Sequence, residues 1–194
     1  SPASDAKGNS LSGRAHIAAI NDTKNAHFLH LGFNSTYRTP DSAGKAVSFK
    51  SKGSTDVIDD VLVNSGKIFN VDSYYQNMAE FRYQKGSFNV TSEFIRTNLQ
   101  RANAQNLQFD GGYVMASYFL TGEKYGYDVK MGAPTLTSIN KGAWEIASRY
   151  SMTDLNNKDI HFRFLKYQTL LFLFAVFYLK NLFLTQSSIR TFLL

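Results

Sequence analysis

Four basic side chains, Arg82, Lys124, Lys130 and Arg149, stand among alternating polar and aromatic residues, where they could line a path for an anion. Fixed cations raise the local concentration of an anion and replace part of its hydration shell, and weak binding at successive points lets it leave again. The same residues have a competing use. Arg82 and Arg149 each have an acid on their own side of the segment, Glu80 and Glu145, so bracing of the wall by salt bridges is the favoured reading for those two, and Lys124 and Lys130 also suit a solvated loop.

Other chemistry finds no positive support. His27 and His30 are three apart and so fall on opposite faces of a strand, and with His16 and His161 they make no metal pattern; all four read as surface residues. Glu93, Glu123 and Glu145 show no spacing that argues for paired acid–base work. There is no cysteine, hence no thiol nucleophile or disulfide framework. A Gly-Lys-Ser phosphate loop, a Gly-x-Ser-x-Gly elbow and a dinucleotide fingerprint are all missing from the sequence, so neither an enzyme nor a cofactor is expected. The net charge of +6 does not mark a nucleic-acid binder: residues 161–194 carry Arg163, Lys166, Lys180 and Arg190 with no acid, and the preceding 160 residues hold 17 bases against 15 acids. No nucleic-acid partner is expected.

The elements that must position the four cations are strands. Phe, Tyr and Trp make up 14% of the chain against only 19% charged residues, a balance that suits a barrel with aromatic girdles and equally a β-sandwich. Side chains alternate along a strand, so residues 107–121 put Phe109, Tyr113, Met115, Ser117 and Phe119 on one side. Residues 142–154 put Trp144, Ile146, Tyr150 and Met152 on one face, with Glu145, Arg149 and Ser151 on the other. Residues 70–84 are the longest candidate, with Glu80 and Arg82 on the polar face; Lys85-Gly86 then turns the chain into residues 87–97, which aim Asn89, Thr91 and Glu93 inward and Phe88, Val90 and Phe94 outward. Upstream, residues 12–20, 28–39 and 45–52 alternate, residues 53–60 read as loop, and 61–63 as a stub, for about seven strands of roughly 10 residues. Residues 1–10 read as a polar lead without the apolar core of a signal peptide, and the beginning of the chain is expected to be missing. A soluble sheet and a membrane barrel both fit the alternation.

The wording of two segments separates them. Tyr118-Phe119-Leu120-Thr121-Gly122-Glu123, followed by Gly142-Ala143-Trp144-Glu145-Ile146-Ala147-Ser148-Arg149-Tyr150-Ser151 and Asp154-Leu155-Asn156, resembles the phosphate-selective porin family of the O/P type. Weaker echoes are Ser12-Gly13-Arg14, His30-Leu31-Gly32, Tyr37-Arg38, Ser65-Gly66 and Lys85-Gly86-Ser87-Phe88 with Glu93, so the resemblance spans roughly residues 11–160. It implies an all-β fold, an antiparallel transmembrane barrel of about sixteen strands of which this chain is an incomplete part. It also implies a homotrimer when full length, in the bacterial outer membrane and against its lipid, passing phosphate or other small anions. In such porins a periplasmic connection folds into the lumen, and here that connection, residues 122–141, carries Lys124, Tyr125, Tyr127, Lys130 and Lys141.

Two further expectations follow. Residues 1–160 form the partial barrel, while residues 161–194 form a divergent tail, because the nearly continuous apolar run from Thr169 to Leu179 does not alternate as a barrel strand does. A shift of reading frame near residue 160 would account for that tail and make the chain a truncated remnant; a membrane-seeking appendage is the competing account. The alternatives to the porin reading are a small barrel of about eight strands with a structural or adhesive role, and a soluble β-sandwich.

Overall fold

The computed structural model describes residues 8–41, 45–52, 61–136, 142–156 and 166–177. Eleven strands are present among them: β1 Gly8–Asp22, β2 His27–Pro40, β3 Lys50–Lys52, β4 Val61–Asn64, β5 Val71–Lys85, β6 Phe88–Arg101, β7 Leu107–Phe119, β8 Tyr125–Asp128, β9 Ala133–Leu136, β10 Ala143–Asp154 and β11 Lys166–Phe177. Seven long ones form a single sheet in the order β1-β2-β5-β6-β7-β10-β11, every neighbour antiparallel. At 12 to 15 residues each, these strands exceed the roughly 9–11 that a tilted strand needs to cross a bilayer. Among the described residues β1 and β11 do not pair with each other, so the sheet is an open segment of a barrel wall.

Polarity decides which face is which. One face buries His30, Glu80, Gln84, Asn89, Thr91 and Glu145, while the other exposes Phe33, Phe81, Phe94, Tyr118, Trp144 and Tyr150. A soluble sheet does the reverse, and a membrane barrel does this, because lipid solvates its outside and polar side chains line its lumen. The chain is therefore all-β, an incomplete antiparallel transmembrane barrel, as the sequence predicts.

Turns set the two ends. Asp22 accepts hydrogen bonds from the Asn25 backbone and side chain at 3.2 and 2.6 Å, closing the β1–β2 turn. At the β5–β6 hairpin Gly86 adopts φ +61°, a conformation that a Cβ disfavours, and its N–H donates to Ala26 O at 3.0 Å, tying the two short turns together. Short turns mark the periplasmic end of such barrels, so the long connections after β2 lie at the opposite mouth. There Val47, Phe49, Val63 and Ile68 pack on Tyr74, Leu99, Leu107 and Phe109 of the inner face, an apolar cluster inside the mouth.

Three strand expectations change. Among the described residues, 45–52 do not join the wall: β3 pairs with β4, and Val47 bridges Ile68, because Val47 and Phe49 are buried in that apolar cluster. The apolar run that was expected to stand apart from the barrel contributes β11, whose residues 166–177 pair with β10 without a register shift from Ala143↔Phe177 to Asp154↔Lys166. The backbone ladder of β10 supplies partners to any sequence that tolerates the extended conformation, whether or not its side chains alternate. Residues 8–10, expected in the polar lead, belong to β1. The loop expected over 53–60, Lys141, His161 and the chain beyond 177 lie outside the described residues.

Candidate functional site: the lumen wall and its hairpin

Register places the lumen residues in rows. His16, Gly32, Glu80, Glu93, Tyr113 and Ser151 are successive partners across six strands, and the next row toward the periplasm runs His30, Arg82, Thr91, Met115 and Arg149. Glu80 and Glu93 thus face each other directly, an unfavourable pair unless cations separate their charges. Two cations do so. Arg14 reaches across β2 to hold Glu80 through Nε–Oε1 at 3.0 Å and Nη2–Oε2 at 2.7 Å, and Arg82 Nη2 lies 3.7 Å from Glu93 Oε1. The Tyr113 hydroxyl donates to the same Glu93 oxygen at 3.2 Å.

The reach of Arg14 depends on Gly32. A Cβ there would lie 3.0 Å from His30 Nε2 and 3.1 Å from Glu80 Oε2, tighter than ordinary contact, so a side chain would press on the acid and the imidazole that hold this arrangement.

Across this wall lies the β8–β9 hairpin, part of the 23-residue connection between β7 and β10. Four wall strands hold it. Arg14 Nη1 donates to Met131 O at 3.2 Å and His16 Nε2 to Val129 O at 3.0 Å from β1; Gln84 Nε2 donates to Tyr125 O at 2.8 Å from β5. From β2, His30 meets the Tyr127 hydroxyl at 2.6 Å; Nε2 of the same ring faces Glu80 Oε2 at 3.4 Å, which fixes a proton on Nε2 and leaves Nδ1 to accept from the phenol. On β10, Glu145 accepts the Tyr125 hydroxyl at 3.0 and 3.1 Å. Phe28 stacks on Tyr127 with centroids 4.9 Å apart. Burial, and next the adjacent Glu145 charge, push the Tyr125 phenol well above its ordinary range; burial raises Tyr127 as well.

Each expected cation can now be located. Arg82 and Arg149 both face the lumen in one row, three strand spacings or ~14 Å apart. Neither braces the acid expected of it: Glu80 is taken by Arg14 and His30, and Glu145 by Tyr125. Arg82 turns to Glu93 instead, and its Nε and Nη1 are buried without a hydrogen-bond partner among the described residues. Arg149 stacks on the Tyr113 ring at 4.1 Å and donates from Nε to Ser151 Oγ at 2.9 Å. Lys124 and Lys130 are exposed on the hairpin connection.

Sequence reasoning missed Arg14, Gly32 and Tyr113, and it misjudged His30, whereas His16 is exposed as expected. His30 is fully buried rather than a surface residue, because the hairpin covers it, and His16 stacks on it at 5.6 Å. Their positions on the polar parity of β1 and β2 were the signal. Among the described residues no group of three or more His, Cys, Asp or Glu could hold a metal.

Compared with known families, residues 1–171 match the family described as phosphate-selective porin O and P. No curated protein matches the chain.

Proposed function

Since the chain belongs to the phosphate-selective porin O and P family, a family of bacterial outer-membrane channels and not of enzymes, we propose that its wall conducts small anions by passive diffusion, with phosphate the preferred one. The observation that carries this reading is the inverted polarity of the sheet, apolar outside and polar inside, with guanidinium groups on the inner face, the three of Arg14, Arg82 and Arg149 among them. Two of the three are not consumed by bidentate carboxylates. Arg82 has donors to spare, and among the described residues Arg149 has no carboxylate within 4.0 Å. A permeating oxyanion accepts hydrogen bonds from such groups in place of water, and the ~14 Å between them allows transfer from one to the next. Lys124 and Lys130 add positive potential near the hairpin without fixed partners for their ammonium groups among the hydrogen bonds and ion pairs described above.

The seven wall strands correspond to part of a barrel of about sixteen. On this reading the native assembly is a homotrimer in the outer membrane, in contact with its lipid, and the chain is a truncated remnant whose character changes toward the C-terminus. The family match through residue 171 and the pairing of β11 support setting that change later than residue 160.

The test is a reversal potential. Protein purified from outer membranes is reconstituted in planar bilayers under a salt gradient; a potential of the sign for anion preference, with block by added phosphate, is expected. Cation preference, or membranes that stay silent with the protein inserted, would sink the channel reading in favour of a barrel without a pore.

A further inference from the structure

Just outside the belt formed by Glu80, Glu93 and Tyr113, on the extracellular side, the inner face carries a hollow of about 20 Å³ over Gly111. Ile95 and Phe109 supply apolar walls, and Tyr113, Arg149 and Glu93 form one rim. The volume exceeds the roughly 10–15 Å³ that one water requires, but apolar walls give a water few of the two to four partners it needs. A small apolar group fits both the size and the walls.

Gly111 itself argues that the space has a use. Its neighbour Gly112 is required by packing, since a Cβ there would lie 2.6 Å from Glu93 O. At Gly111 a Cβ would meet only Met152 O at 3.7 Å, an ordinary contact, and φ is not in the left-handed region. Neither backbone nor neighbours demand glycine at this position; what glycine provides is the hollow. At its rim the Arg149 guanidinium is held over Tyr113 at 4.1 Å, while the Glu93 charge is already matched by Arg82 at 3.7 Å and by the Tyr113 hydroxyl. The positive charge at the rim is the one left to a ligand.

We propose that this hollow is a subsite for oxyanions bearing a short alkyl group, alkylphosphonates of one or two carbons, with the head group on Arg149 and the alkyl group over Gly111. The inference rests on the anion-channel reading and extends its substrate class from inorganic to small organic anions.

The experiment compares block of chloride current by inorganic phosphate and by methyl-, ethyl- and propylphosphonate, using protein purified from outer membranes in planar bilayers. Ethylphosphonate is expected to block about fourfold more strongly than methylphosphonate, the gain of one buried methylene, and propylphosphonate to lose that gain for lack of room. Gly111→Val fills the hollow and should abolish the dependence on chain length while leaving block by inorganic phosphate unchanged. Ile95→Ala enlarges it and should move the optimum to the propyl compound, a readout independent of whether the valine variant inserts. Equal potency of the three phosphonates on the native protein, or an ethyl preference that survives Gly111→Val, overturns the subsite. Absence of block by phosphate as well as by the phosphonates would instead overturn the channel reading beneath it.

Discussion

Arg14 on β1 and Glu80 on β5 are joined by two hydrogen bonds, at 3.0 and 2.7 Å, across an intervening strand. Glu80 is the more buried partner, 5% exposed against 28% for Arg14, and it also faces His30. Removing the acid strands two donors at once. Glu80→Ala is expected to destabilise the wall by about 2–3 kcal/mol, as for hydrogen bonds to charged groups, and Glu80→Gln by less because its amide oxygen still accepts from Arg14. Urea titration in detergent micelles reads both; equal midpoints for Ala, Gln and the native chain would show that the pair contributes nothing.

The hairpin depends on Tyr127 in two separable ways. Tyr127→Phe loses the 2.6 Å bond to His30 and keeps the stack on Phe28, whereas Tyr127→Ala loses both. About 1 kcal/mol of hairpin docking is expected to go with the hydroxyl, and a further aromatic contribution of roughly 1 kcal/mol with the ring. Limited proteolysis at the hairpin should accelerate in that order. If phenylalanine and alanine were cut at the same rate, the stack would carry no weight.

Much of the wall was legible because strand parity is a strict rule. Once one polar residue of β5 is put inside, Glu80, Arg82 and Gln84 follow, and the hairpin turn at Gly86 carries the parity into Asn89, Thr91 and Glu93 on β6. The partners across the lumen were not legible. His30 meets Tyr127 at a separation of 97 residues and Arg14 meets Glu80 at 66, contacts set by the fold of the β7–β10 connection and by an absent side chain at Gly32. Periodicity carries no record of such distances. Nor does it register strand pairing that needs no alternation, which is why β11 was misjudged, or an alternating stretch such as Val47 and Phe49 whose burial lies in a loop cluster.

A pH experiment isolates Tyr125. Burial and the adjacent Glu145 charge raise its phenol pKa above the unfolded value of about 10, so the docked state binds the proton more tightly. By linkage, the stability contributed by this hydroxyl is fully present below about pH 10 and is lost as pH rises from there toward the higher folded value. Ultraviolet titration should therefore show late-ionising tyrosines beside the exposed ones, and Tyr125→Phe should take one phenol out of that late phase while making docking less sensitive to alkaline pH than in the native chain. A Tyr125 that ionised with the surface phenols would contradict its bond to Glu145.

The four cations should separate by burial when they are tested one at a time for anion preference. A unit charge acting at about 4 Å is worth ~1 kcal/mol even in bulk water, so Arg82→Gln and Arg149→Gln, in the half-buried wall, are each expected to lower the anion-to-cation permeability ratio by about fivefold. Lys124 and Lys130 are exposed on the hairpin connection, and neutralising either should matter less. Salt provides the discriminating measurement. At 1 M the screening length is about 3 Å, so the lysine effects should fade there while those of the two arginines persist. If all four substitutions lost their effect together as salt rose, the arginines would be acting only through the general field of the lumen, and direct contact between guanidinium and permeating anion would have to be abandoned.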